Sequence, residues 1–181
     1  MPPIKASKTP ARKHAHISSD DLRTAYECLA RVEILEGSLA GATFVDVTAL
    51  TNLARQQLAA ERSRNAAGLL RAAEHICFAA LAPEQTTDAL VPAGLKASIA
   101  TEFENLTRRA EDHWVASDAP ANRDVIATLY GRVLAQARAV FARGAWWAAL
   151  ELARAAEALS RIGEGLPAAI PDPGLMGRLA S

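Results

Sequence analysis

Residues 54–74, ARQQLAAERSRNAAGLLRAAE, and residues 137–157, ARAVFARGAWWAALELARAAE, carry one spaced pattern 83 positions apart. Ala54, Arg55, Ala59, Ala66, Arg71, Ala72, Ala73 and Glu74 recur as Ala137, Arg138, Ala142, Ala149, Arg154, Ala155, Ala156 and Glu157. Alanine is the strongest helix former, and small residues at helical spacing let two helices approach closely. The pattern therefore predicts two related helix–turn–helix hairpins, and around them an all-α, single-domain bundle of about six helices.

Composition agrees with that reading. A chain of 181 residues suits one domain with a core large enough to need neither disulfide nor metal. Half of it is hydrophobic and only 5% aromatic, with no long period-two run of β-branched residues, which excludes a β-rich fold. The formal net charge is zero, yet Lys5, Lys8, Arg12 and Lys13, with His14 and His16, make residues 1–17 basic and free of acid. Cys28 and Cys77 form neither a disulfide framework nor a zinc spacing. No secretory pattern and no apolar run near 18 residues is evident, so the expectation is a reducing cytoplasmic setting and no membrane.

Along the chain, residues 1–17 read as a disordered basic tail, 18–163 as the helical domain and 164–181 as a flexible Pro/Gly-rich stretch. Ser18 and Asp21 supply the first helix start, with Leu22, Tyr26 and Leu29 on one face and Gly37 and Gly41 ending the helix. Thr43 or Asp46 caps the second, and Ser63 the third, which reaches Leu81; one long helix through 61–65 stays open, since neither Gly nor Pro interrupts it. After the loop holding Pro83 and Pro92, Leu95, Ile99, Phe103, Leu106, Ala110 and His113 form a helical stripe. Ser117-Asp118-Ala119-Pro120 restarts a fifth helix that runs to about Arg143, and Gly144 separates it from a sixth, 145–162.

The second hairpin, with Ala137, Gly144, Trp146, Ala149 and Ala156, resembles a tetratricopeptide-type unit. In that family small residues face each other across the helices, a glycine makes the turn and an aromatic plugs the gap. The first hairpin keeps Ala54, Ala66 and Ala73 but has Glu61 and Ser63 at the glycine and aromatic positions, and a loop and a helix separate the two units. The resemblance implies a non-enzymatic scaffold that binds a protein or peptide. Arg108 and His113, an Arg-x4-His spacing, resemble the motif of HEPN nucleases, helical dimers that cleave RNA without metal. That alternative implies Arg108 as charge stabiliser, His113 as proton carrier and a homodimer. On one helix, five residues turn the two side chains about 140° apart, and His113 falls on the apolar stripe, where it reads as partly buried.

Glu74, His75 and Cys77 offer metal-ligand atoms, with Cys28 as a further donor. Positions i and i+2 project to different sides of a helix, so no metal or cofactor is expected; Cys77 reads as core, Glu74 as a partner of Arg71, and His75 as a boundary residue. The basic tail could grip nucleic acid weakly. The expected partner-binding residues are Trp147, Glu151 and Arg154. Trp146 shares its face with Ala149, Leu150 and Ala153, whereas Trp147 points about 100° away, toward a rim where a half-exposed aromatic suits a partner anchor.

Overall fold

The computed structural model describes residues 19–82, 92–116 and 124–162. Among these the regular structure is entirely helical: α1 (Ser19–Glu36), α2 (Gly41–Ala59), α3 (Ser63–Leu81), α4 (Ala93–Ala116), α5 (Asp124–Ala142) and α6 (Trp146–Ser160). The chain is an all-α bundle. The expected tails, 1–17 and 164–181, and the 117–120 restart signal lie outside the described residues.

The 83-residue offset holds at the level of whole elements. Shifted by 83, the bounds of α2 become those of α5, and Ser63, the first residue of α3, becomes Trp146, the first of α6. The α2–α3 and α5–α6 turns share one geometry. Glu61 has φ +59° and its equivalent Gly144 φ +84°. Arg62 N–H donates to the Gln57 carbonyl at 2.8 Å and Ala145 N–H to that of Val140 at 3.2 Å, the long return bond of a left-handed helix terminus. Gly144 adopts this conformation freely, whereas Glu61 adopts it against its own Cβ. That turn ends α2, so one long helix through 61–65 is not formed.

Ala54, Ala66, Ala73, Ala137, Ala149 and Ala156 are all fully buried, as the close approach of neighbouring helices requires. The repeating unit holds a third helix as well. α1 packs on α3 and α4 on α6, and buried Ala25, Cys28 and Val32 correspond to buried Phe103, Leu106 and Ala110 at an offset of 78. At the centre α3 and α6 run antiparallel: His75 meets Glu151, and a Cβ at Gly68 would lie 3.2 Å from Ile162 and 3.8 Å from the Ala158 carbonyl. A pseudo-twofold axis therefore crosses this seam near Arg71 and Arg154. α1 and α4 flank one side of it. On the other, α2 and α5 are tied by Arg132 and Asp46 at 2.7 Å, and burial keeps Asp46 above the ordinary carboxylate range despite that arginine.

Several local expectations are corrected. Gly41 begins α2 instead of ending α1, with φ +61°, and the residue before it, Ala40, makes no side-chain cap, so Thr43 and Asp46 lie inside the helix. Ser63 is likewise inside α3 and buried, and no side chain caps that start. His113 is exposed and Leu95 is 43% exposed, because the buried stripe of α4 runs only from Ile99 to Ala110. In α5, Val125–Ala142 is long and apolar enough to cross a membrane by length and composition, contrary to the sequence expectation. Here it is a packing helix. Ile126, Leu129, Val133, Ala137 and Val140 are buried, and Arg132 and Arg138 are ion-paired to Asp46 and Glu111.

Candidate functional site: a groove over the central seam

Between Arg64 and Ala79, α3 buries most of its side chains, because α1, α2 and α6 pack on three of its faces. One stripe remains outside: Arg64, Gly68, Arg71, His75 and Phe78, at the spacing of one helix face. α6 leaves the equivalent stripe, Trp147, Glu151, Arg154, Ala158 and Arg161. The antiparallel register lays these stripes side by side as the floor of a groove rimmed by α1 and α4. Phe78 and Trp147, 40% and 47% exposed, fall at one end of the register. Arg64 and Arg161 fall at the other, and Arg71 and Arg154 at the middle.

Part of the groove deepens into a cleft of about 450 Å³ against α4, lined by Arg71, His75, Glu102, Leu106, Arg109, Arg154, Glu157, Ala158 and Arg161. Two of the seam's carboxylates are each held by two nitrogen-bearing side chains. Glu151 accepts from His75 Nδ1 at 2.7 Å and from Arg154 at 2.5 Å. Glu157 accepts from Arg109 at 3.0 Å and Arg161 at 2.6 Å. Burial alone would raise the Glu151 carboxyl, but the bonds from His75 and Arg154 outweigh it and hold the group below its ordinary 4.5.

On the α1 side, Glu74 is buried and bonded by Arg31, and the Cys28 thiol donates to it at 3.3 Å. The expected Glu74–Arg71 pair is not formed; α1 supplies the arginine instead. Burial, with the negative charge of Glu74, pushes the Cys28 thiol up to about 11, and burial beside Glu36 does the same to Cys77. Both sulfurs are therefore protonated at neutral pH and unsuited to nucleophilic attack. Among the described residues no hydroxyl or thiol lines the cleft, and no group of three or more His, Cys, Asp or Glu is placed to hold a metal ion. Forked arginines around bound carboxylates equip the site to hold oxyanions.

Trp147, Glu151 and Arg154 share the α6 stripe, and the last two are in contact. Trp147 is the more exposed tryptophan of its pair: Trp146 is partly buried against the core, with the Lys96 ammonium 5.3 Å from its ring. Arg108 and His113 are not brought together within the chain. Both are exposed, and Arg108 bonds Asn105 on its own helix at 3.2 Å. Sequence reasoning missed Arg71, His75, Phe78, Arg109 and Arg161 as neighbours of the expected residues. The signal was present, since Arg71 and Arg154 belong to the repeat, but only the antiparallel register places them over one seam. The chain matches no protein-family model, no curated protein and no solved structure.

Proposed function

We propose that this chain is a non-enzymatic helical interaction protein that takes a protein or peptide partner along the α3–α6 groove. The observation that carries the proposal is Trp147. It is half exposed at the groove's aromatic end, on the same helix face as Glu151 and Arg154. Tryptophan and arginine dominate the energetics of protein interfaces, and a large aromatic left in water beside a groove is stabilised when a partner covers it. The fully buried alanines of α2–α3 and α5–α6 suit tetratricopeptide-like packing, though the units here hold three helices and repeat at 83 residues, not 34. Two buried free thiols, Cys28 and Cys77, suit a reducing, cytoplasmic setting.

Selection of a random peptide-display library on the immobilised chain, followed by titration of the winners, tests the reading. Trp147→Ala is expected to weaken the selected peptides by about tenfold or more. Peptides that bind wild type and Trp147→Ala alike would overturn the groove assignment. Metal-independent RNA cleavage abolished by His113→Ala would overturn the non-enzymatic reading altogether.

A further inference from the structure

At the midpoint of the groove, two equivalent positions of the 83-residue pattern carry the same residue beside a pseudo-twofold axis. Arg71 and Arg154 occupy the same position in the two repeats and line the same cleft. His75–Glu151 lies to one side of them along the seam and Gly68–Ala158 to the other. Arg154 is offset by Glu151 at 2.5 Å, whereas Arg71 faces the same cleft with no carboxylate bonded to it among the described residues, so an anion there is favoured. Two of the nearby carboxylates are already engaged, Glu151 by His75 and Arg154, and Glu157 by Arg109 and Arg161, and Glu102 lines the α4 wall of the cleft. Arg71 has no ion pair or side-chain hydrogen bond among the described residues. With Glu151 bonded to Arg154, the cleft carries Arg71, Arg109, Arg154 and Arg161 against Glu102, Glu151 and Glu157, a surplus of one positive charge.

We propose that Arg71 and Arg154 form an oxyanion subsite that receives the side-chain carboxylates of an acidic segment in the partner. This deepens the groove reading above and rests on it. Guanidinium forks match carboxylates bidentately, and the cleft offers arginines with no lysine. An acidic peptide suits the site better than a nucleic acid. Spaced carboxylates can meet the arginines between Glu102, Glu151 and Glu157, whereas a continuous phosphate backbone would be repelled by those same glutamates. The aromatic end at Phe78 and Trp147 and the basic end at Arg64 and Arg161 also give the groove a direction, as a peptide chain has.

Fluorescence anisotropy of a labelled hexaglutamate peptide, titrated with the full chain at low and at physiological salt, tests the subsite. Hexaglutamine serves as the neutral control. Binding is expected for hexaglutamate only, weakened about tenfold by Arg71→Gln and by Arg154→Gln and unchanged by Arg143→Gln, an exposed arginine outside the cleft. Arg71→Gln is also expected to raise the melting temperature of the free protein at low salt, because it removes the guanidinium that has no bonded carboxylate. Equal weakening by Arg143→Gln, or a lowered melting temperature for Arg71→Gln, would overturn the subsite. Tighter binding of inorganic phosphate or of oligouridylate than of hexaglutamate would overturn the acidic-peptide assignment. A display-selected peptide that loses affinity with Trp147→Ala but not with Arg71→Gln would overturn the subsite while leaving the groove reading intact.

Discussion

The amino-terminal half, α1–α3, and the carboxy-terminal half, α4–α6, share a skeleton and differ in what they show to the outside. Two ion pairs occur in both. Arg55–Glu33 matches Arg138–Glu111, and Arg31–Glu74 matches Arg109–Glu157, each joining the same pair of helices in its half. The cement beside them differs. α4 and α5 are joined by two aromatic stacks, Phe103 on Phe141 and Trp114 on Tyr130, with ring centres 4.2 and 4.4 Å apart. At the second of these places α1 and α2 use a hydrogen bond from Thr48 to Glu36. Outward on α1, Tyr26 and Ile34 are well exposed, where α4 has Glu104 and Asp112. The sharpest difference lies on the seam. Arg64, Gly68, His75 and Phe78 correspond to Trp147, Glu151, Ala158 and Arg161, so a surface that a perfect repeat would make two-fold symmetric has gained an aromatic end and a basic end. Only Arg71 and Arg154 are alike there. The halves agree in their buried alanines and two ion pairs and differ most along the seam.

Overpacking the shared skeleton should have the largest effect. Ala66→Leu and Ala149→Leu, at fully buried equivalent sites, are each expected to cost about 1–3 kcal/mol in urea unfolding with the slope unchanged. A cost at one site and none at the other would break the equivalence of the halves. The duplicated ion pairs come next. Arg31→Ala strips the buried Glu74 of its guanidinium, whereas Arg109→Ala leaves Glu157 with Arg161. The first should cost about 1–2 kcal/mol, less than a fully buried pair because Arg31 is half exposed and screened, and the second under about 1 kcal/mol. Equal costs would show that Arg161 does not stand in for Arg109 at Glu157.

The turns give a smaller, signed effect. Glu61→Gly should stabilise by about 1 kcal/mol and Gly144→Ala should destabilise by a similar amount, because both positions hold positive φ. Thermal melts of the two variants moving in the same direction would contradict the shared turn geometry. The smallest effect is the pH response of the seam. Glu151 titrates below its ordinary 4.5 in the folded state, so its contribution is present above 4.5 and lost as pH falls through the lowered folded value. The stability gap between wild type and Glu151→Gln should therefore shrink as pH falls below 4.5. A gap that widens on acidification would reverse the sign.

The repeat made most of the fold legible from sequence. Alanine spacing, Gly144 and the proline-bearing loops locate six helices, and the two tryptophans are ordered correctly in exposure. Helix starts were less legible, because Ala40 and Arg62 precede their helices with no side-chain cap, so no capping residue marks those positions. Long-range partners were hidden for a different reason. The intrahelical spacing of Arg71 and Glu74 suggests a pair, but the fold brings Arg31 from 43 positions away to the same carboxylate. Of the groove, sequence periodicity revealed the α6 stripe, Trp147, Glu151 and Arg154. It could not reveal the α3 stripe beside it, since the antiparallel register is set by contacts such as His75–Glu151 and Gly68–Ala158, which lie in no local pattern.

The proposed binding mode seats a partner on the seam and not on another surface. Backbone amide chemical-shift mapping of the full chain, with a display-selected peptide added stepwise, addresses it most directly. Saturating shifts are expected along the two stripes, from Arg64 to Phe78 and from Trp147 to Arg161, with the exterior of α1 silent. Shifts centred on Tyr26 and Ile34, or on the α2–α5 side around Asp46 and Arg132, with the seam unmoved, would contradict it.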